Sequence, residues 1–412
     1  MLHRIWLGFF LLAFACGLGQ WLLAGDVDVF QRMVSALFEM ATLSVELAIG
    51  LIGLMALWLG IVAVGEQSGL IDRLSKLLSP LFTRLMPDVP AGHPAISSVT
   101  LNLSANVLGL DNAATPLGIK AMQDLQTLNP EPDTASNAQI LFLVLNTSSV
   151  TLFPMSILLY RAQLGAPDPA AVFVPILIAT SCSTLAGLLV TGIVQGIRFR
   201  DGVILGALAL AFATLLALVL YLSTLTAVEL QRQSSLAANL LILSIIMVFL
   251  IAAHRRSVNV YEAFIDGARQ GFETAIGIIP YLLAMLVAIG LFRASGALDL
   301  LLAAVRWLVA GGGWDARWVD ALPTALMKPL SGSGARAMMV ETMNHYGVDS
   351  FQGRLAATLQ GSTETTFYVL AVYFGAVGIR HTRYAIPCGL AADLAGMTAA
   401  IAVAYWYFGG GS

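Results

Sequence analysis

Gln360-Gly361-Ser362-Thr363-Glu364-Thr365-Thr366-Phe367-Tyr368-Val369-Leu370 decides how the rest of the chain is read. It is a polar run carrying a carboxylate, and it leads straight into an apolar run ending near Ala376. A membrane helix does not ordinarily begin so wet. Asn146-Thr147-Ser148-Ser149-Val150-Thr151-Leu152-Phe153-Pro154 repeats the pattern earlier in the chain. In each run an amide side chain opens a hydroxyl cluster, and a Phe follows seven residues after that amide. Two polar breaks at corresponding places in two halves point to the binding site of a transporter.

Composition sets the class. Of 412 residues, 58% are hydrophobic and 11% charged, and mean hydropathy is +0.83. A soluble protein carries about 25% charged residues, and long apolar runs recur here, so the chain is predicted to be an all-α polytopic membrane protein in contact with the lipid bilayer. A net charge of -3 gives no reason to expect nucleic acid. Cys16, Cys182 and Cys388 are far apart in apolar stretches and read as small buried hydrophobes. His3-Arg4 and the apolar run to Ala13-Phe14-Ala15-Cys16 have the outline of a signal peptide. The run continues to Leu23, however, so residues 5–24 read as a retained first span.

The chain then follows a series that it plays twice. An amphipathic segment, Phe30 to Glu39, precedes a span at 44–65. Ser68-Gly69-Leu70-Ile71-Asp72 breaks the chain, and an interfacial amphipathic helix follows over 70–86 until Pro87, Pro90 and Pro94 stop it. The stretch from Asn102 to Lys120 is too polar to cross lipid as one helix and too apolar for an ordinary loop. It fits a re-entrant segment turning at Gly109-Leu110-Asp111-Asn112, with Asp111 or Asn112 capping a helix that starts beside Pro116. A broken span at 138–160 and an intact one at 171–196 complete the first series. Two plain spans, 202–223 and 237–253, lead to the second. Its members are an amphipathic stretch from Tyr261 to Glu273, a span at 274–293, Ser295-Gly296-Ala297-Leu298-Asp299, and an amphipathic helix over 297–310. Then come the turn Met327-Lys328-Pro329-Leu330-Ser331-Gly332-Ser333-Gly334-Ala335-Arg336, the break at 360–366, and a last span at 385–408 carrying Asp393. The domain division is 1–200, a connecting helix pair at 201–256, and 257–412.

Short basic clusters mark the cytoplasmic side. With nine spans and a cytoplasmic N-terminus, His3-Arg4, Arg198/Arg200, His254-Arg255-Arg256 and Arg380 to Arg383 all fall inside, and Asp26 falls outside. The two Ser-Gly breaks then lie on opposite sides, which makes the halves inverted-topology repeats. Such repeats place their site where they meet, near the bilayer midplane. An ionisable group at that depth costs at least ~2.5 kcal/mol and needs a partner or a role.

Two sets of motifs carry a resemblance. Gly65 to Leu70, Asn106 to Met122 and Asn146-Thr147-Ser148 resemble the spore maturation protein A family. Met327 to Arg336, Gly347 to Phe351 and Gln360 to Gly375 resemble the spore maturation protein B family. The whole therefore resembles a fusion of the two, within the nucleoside recognition or gate domain group. That group also takes in segments of concentrative nucleoside transporters and of a ferrous iron permease. The resemblance implies a membrane protein of transporter-like repeats and fixes no substrate. Asp111 stands where the pattern leads one to expect a small residue, and it adds a charge near the turn.

Each candidate site residue has a plainer reading beside it. Glu364 is either a proton or sodium site, or the partner of a substrate amine, or simply an acid stabilised at a helix N-terminus. Lys328 and Arg336 either hold a substrate carboxylate, Arg bidentately, or pair with Glu341 or Glu364. Ser331 and Ser333 shape a turn resembling a phosphate cradle but lacking the Gly-Lys-Ser/Thr ending of a nucleotide loop. Asn102, Asn106 and Asn112, with Asn146, Thr147 and Ser148, either line the site or hydrogen-bond between helices; Thr115, Gln360, Ser362, Thr363 and Thr365 are read as further substrate-binding residues. Asp111 and Asp393 join Glu364 as candidates for ion coupling; the plainer reading of Asp393 is as the partner of a basic residue. His93, His345 and His381 are too scattered for a metal cluster. No metalloprotease, nucleophile-elbow or cysteine-pair motif is present, and nothing calls for a cofactor. The expected function is ion-coupled secondary transport of a small polar solute (an amino acid, nucleoside or similar metabolite) in the bacterial cytoplasmic membrane. The alternative is a non-transporting scaffold or regulator of cell-envelope or spore-type maturation. The amphipathic helices at 70–86 and 297–310 serve either as a scaffold or as a homodimer interface.

Overall fold

The computed structural model describes residues 2–90, 92–107, 111–148, 154–277, 279–313 and 315–409. Helix dominates, and among these residues no strand forms; one isolated bridge joins Thr134 to His381. The first series runs α1 (Leu2–Ala24), α2 (Val29–Gln67), α3 (Leu70–Leu85), α4 (Pro94–Val107), α5 (Asp111–Gln126), α6 (Asn137–Thr147), α7 (Met155–Gln163) and α8 (Phe173–Gln195). The connecting pair is α9 (Gly202–Ser223) and α10 (Ala227–Arg255). The second series runs α11 (Val260–Gly277), α12 (Ile279–Ala294), α13 (Ala297–Gly311), α14 (Leu322–Met327), α15 (Gly332–Tyr346), α16 (Phe351–Ser362), α17 (Thr366–Ala376) and α18 (Ala385–Phe408).

Seven stretches among the described residues are long and apolar enough to cross a membrane: α1, α2, the α8 region, α9, α10, the α11–α12 stretch and α18. The chain is a multi-pass membrane protein. The other two of the nine expected spans fall on the pairs α6/α7 and α16/α17, whose helices are each too short to cross alone. Three boundaries differ from expectation. Phe30 to Glu39 is no separate segment but the start of the 39-residue α2, because no proline interrupts it. α5 begins at Asp111 and carries Pro116 inside it rather than at its start. Gln360-Gly361-Ser362 ends a helix, α16, instead of opening one. Caps fix several starts: Ser136 and Gln139 form a capping box on α6, and Ser331 and Ser350 accept from Gly334 and Gly353 to cap α15 and α16.

The two series share local geometry as well as order. At the α2–α3 elbow Ser68 Oγ donates to the Gly65 carbonyl (2.6 Å), and Gly69 takes φ +70. At the α12–α13 elbow Ser295 Oγ donates to the Phe292 carbonyl (2.9 Å), and Gly296 takes φ +69. Both glycines occupy the left-handed region that disfavours a side chain. A side chain from an element with no counterpart in the other half holds each elbow. Gln20 of α1 donates to the Ser295 carbonyl (3.0 Å), and the Arg256 guanidinium beyond α10 lies over Gly69 and faces Asp72 at 3.8 Å.

Equivalent spans pair across the halves: α2 with α11 and α12, and α8 with α18. Small residues set the first approach. A Cβ on Gly267 would stand 2.4 Å from the Leu59 carbonyl oxygen, and one on Gly271 would stand 2.5 Å from Ala56 Cα. Two glycines four apart give helix backbones close contact, which drives association where lipid is as apolar as the side chains. Elsewhere the halves interlock. α17 packs on α5 and α6, α16 packs on α8, and the backbone N–H groups of Arg380 and His381 donate to the Asp133 carbonyl at 2.8 and 2.9 Å. The sequence halves 1–200 and 257–412 are thus interleaved in space.

Candidate functional site

Both polar breaks interrupt a helix. α6 ends at Thr147 with Ser148 as its C-cap, and α7 resumes at Met155 after Pro154. α16 ends at Ser362 and α17 resumes at Thr366 after an extended turn. Each break leaves backbone N–H and C=O groups without helical partners, and the breaks satisfy one another. The Glu364 N–H donates to the Thr147 carbonyl at 2.7 Å, and the Phe367 N–H donates to the Pro329 carbonyl, in the α14–α15 turn, at 3.0 Å. A Cβ on Gly332 would lie 2.9 Å from Thr365 Oγ1, so that turn abuts the second break directly.

The α4–α5 hairpin closes on the first break through amides. Asn106 Nδ2 donates to Asn146 Oδ1 (2.8 Å), Asn102 Nδ2 donates to the Ala114 carbonyl (2.7 Å), and Asn146 Nδ2 donates to the Phe142 carbonyl (2.9 Å). Tyr373 of α17 joins them: its hydroxyl donates to Asn146 Oδ1 (3.3 Å) and accepts from Asn102 (3.5 Å), while its ring stacks on Phe142. Helices α4 and α5, the α14–α15 turn and the described ends of both breaks therefore meet in one region, largely buried. Thr115 differs: it is exposed on α5. The side chains of Asp111 and Asn112, and the whole of residues 149–153, lie outside the described residues.

Charge is distributed unevenly there. Lys328 is 4% exposed and stands 3.9 Å from Glu364, which is 49% exposed. Of the two acids that could pair with Lys328, Glu364 is the one beside it. Glu341 is taken by Arg293 of α12 instead. Arg336 lies over the Tyr160 ring at 6.0 Å, and its Nε has no hydrogen-bond partner. Asp393 is 2% exposed and meets a hydroxyl rather than a basic residue, accepting from Thr366 Oγ1 at 2.7 Å. Several hydroxyls are spent on their own helices: Thr147 and Ser148 donate to the Val144 carbonyl, and Ser362 donates to the Leu359 carbonyl. Ser331 and Ser333 contact each other at 3.2 Å. Gln360 Oε1 and Thr363 Oγ1 are buried without a partner. Among the described residues no cluster of His, Cys, Asp or Glu could hold a metal ion.

Comparison with known proteins matches the profile described as nucleoside recognition, named Gate, to residues 48–165 and 275–380. The chain belongs to the Gate family. Spore maturation protein B of Bacillus subtilis (strain 168) is 47% identical over 154 residues, 37% of this chain and 85% of that protein. Spore maturation protein A of the same organism is 38% identical over 160 residues, 39% of this chain and 82% of that protein. Neither those names nor the family's is that of an enzyme.

The Gate match takes in both elbows, both hairpins and both breaks, and it stops short of α8 and α18. Those two spans supply contacts the sequence reading overlooked. Thr184 donates to the Ser148 carbonyl, and Ser183 donates to the Ala392 carbonyl (2.9 Å). Gly389 and Gly396 let α18 approach the second break. Tyr373 was overlooked too, because an apolar run around it hides one hydroxyl. The spacing Gly389-x3-Asp393-x2-Gly396, all on one helical face, was the available signal for α18.

Proposed function

We propose that this Gate-family chain is a secondary transporter of a small polar solute, working by alternating access between inverted repeats and powered by an ion gradient. The observation that carries the reading is the tip-to-tip meeting of two interrupted helices through the Glu364 N–H and the Thr147 carbonyl. Interrupted spans that expose backbone at depth are tolerated where they line a cavity and are the usual place of a transported ligand. The solute would sit among Asn106, Asn146, Lys328, Ser331, Ser333, Arg336, Gln360, Thr363, Glu364 and Thr365. Lys328 and Arg336 would attract an anionic group and Glu364 an amine or a coupling proton. The family's description favours a nucleoside among the solutes; an amino acid fits the same charges. The membrane would be the bacterial cytoplasmic one, with the N-terminus inside, following the basic clusters.

The test is flux by purified protein in liposomes under an imposed proton or sodium gradient. Wild type should accumulate solute, and Glu364→Gln should abolish gradient-driven flux while eluting as a monodisperse, helical protein. Normal transport by that variant would reject the role of Glu364, and no flux under any gradient would reject transport. The names of the two relatives favour a second reading, a membrane scaffold or regulator in spore-type or cell-envelope maturation. It predicts partner binding and no flux.

A further inference from the structure

The face of α18 turned toward the second break carries an unsatisfied carboxylate. Gly389, Asp393 and Gly396 lie along it at helical spacing. A Cβ on Gly389 would stand 2.9 Å from Thr366 Cγ2, and one on Gly396 would stand 2.7 Å from Thr363 Cγ2 and 2.9 Å from the Ser362 carbonyl oxygen. The two glycines thus seat residues 362–366 against the helix, with Asp393 between them. Asp393 Oδ2 accepts from Thr366, but Asp393 Oδ1 has no hydrogen-bond partner. Thr363 Oγ1 stands beside the same carboxylate, within reach of it but without well-formed hydrogen-bond geometry, and both residues are 2% exposed. The Ser362 carbonyl is the last of α16 and has no helical successor to bond.

α8, the equivalent span, lacks this arrangement. Gly187 there abuts Ser148 of the first break, as Gly396 abuts Thr363 of the second. Three residues before Gly187 stands Thr184, bonded to the Ser148 carbonyl; three residues before Gly396 stands Asp393. One copy of the fold closes its break with a hydroxyl, and the other leaves a buried carboxylate oxygen open.

We infer that Asp393 Oδ1, Thr363 Oγ1 and the Ser362 carbonyl, supported by Thr366, form a binding site for a dehydrated sodium ion. Oxygen donors suit a hard cation, and the negative end of a half-helix favours one. A single carboxylate neutralises a single positive charge; a divalent ion would leave buried net charge. A proton would satisfy one oxygen pair, whereas a cation satisfies all three acceptors. Lys328 and Glu364 act on Asp393 with opposite signs, Lys328 the more strongly, so a bound ion would share the carboxylate's field with that lysine. The role of this ion in coupling rests on the transport reading above; its binding does not.

The experiment is equilibrium binding of radioactive sodium to the purified full-length protein in lipid nanodiscs, with choline as the replacement cation. Wild type should bind saturably, with affinity lowered at least about tenfold in Asp393→Asn and in Thr363→Val. Thr363→Val keeps shape and helix contacts, so it guards against a fold defect in Asp393→Asn. Absence of saturable sodium binding by wild type, or wild-type binding by both variants, overturns the site; the first result also indicates a carboxyl that holds a proton. Sodium binding without solute flux would sink the transport reading and keep the site. Flux indifferent to sodium, with no sodium bound, would do the reverse.

Discussion

The guanidinium of Arg161, with none of its side chain exposed, holds Asp349 at 2.8 Å and so fastens α7 of the first series to the loop before α16 of the second. It also donates to the Val348 carbonyl (2.8 Å) and the Pro169 carbonyl (3.2 Å). Removing one partner of a buried ion pair strands the other, at a cost of about 3 kcal/mol or more. Arg161→Met removes the buried charge itself and should cost less than Asp349→Ala, which leaves that charge with carbonyls alone. Thermal unfolding in one detergent, followed by helix signal, gives the order; equal melting temperatures would show that the pair fastens nothing.

Gly271→Ala should be among the most damaging small substitutions in the chain. Its new methyl would meet backbone atoms of α2, Ala56 Cα at 2.5 Å and the Met55 carbonyl oxygen at 2.6 Å, which cannot rotate away. Overpacking of this kind costs about 1–3 kcal/mol. Gly53→Ala meets nothing within 4 Å and should be neutral or raise stability by about 0.5–1 kcal/mol through helix propensity. The difference in melting temperature between the two variants is the measurement.

Tyr373→Phe keeps the stack on Phe142 and removes the hydroxyl shared by Asn102 and Asn146. The expected loss is about 1 kcal/mol. Asn146→Leu breaks the contact with Asn106 as well and should lose more stability. If both variants unfold with wild type, the amide cluster does not tie the hairpin to the break.

Opposite orientation of the two halves is open to cysteine labelling. Asp72 and Asp299 occupy the same place after their elbows and are exposed. In a background with Cys16, Cys182 and Cys388 replaced, Asp299→Cys should react with a membrane-impermeant maleimide on intact spheroplasts, and Asp72→Cys only after lysis. Labelling of both from the same side would remove the inverted arrangement.

The polytopic class, both breaks and the Ser-Gly elbows were legible because each is a local event: apolar length, a polar interruption, a glycine where φ turns positive. What stayed hidden was chosen by tertiary contact. Periodicity could not say that Glu341 goes to Arg293 and leaves Lys328 to Glu364, since both acids lie within reach of the same turn in sequence. Asp393 showed its cost in an apolar helix but not its neighbour; Thr366 becomes its partner only because two glycines bring the break onto α18. The hydroxyls of Thr147, Ser148 and Ser362 looked like site-lining groups, and each instead donates to its own helix.

The two elbows, alike in backbone, are held by different forces. The Gln20–Ser295 contact is a neutral hydrogen bond, which dissolved salt leaves nearly untouched. The Arg256–Asp72 contact joins two side chains about half exposed, and counter-ions screen such a pair within a Debye length of about 8 Å at physiological ionic strength. Raising ionic strength should therefore slacken one hinge while its twin stays taut. A machine built from two nearly equivalent copies would thereby acquire a preferred direction of yielding.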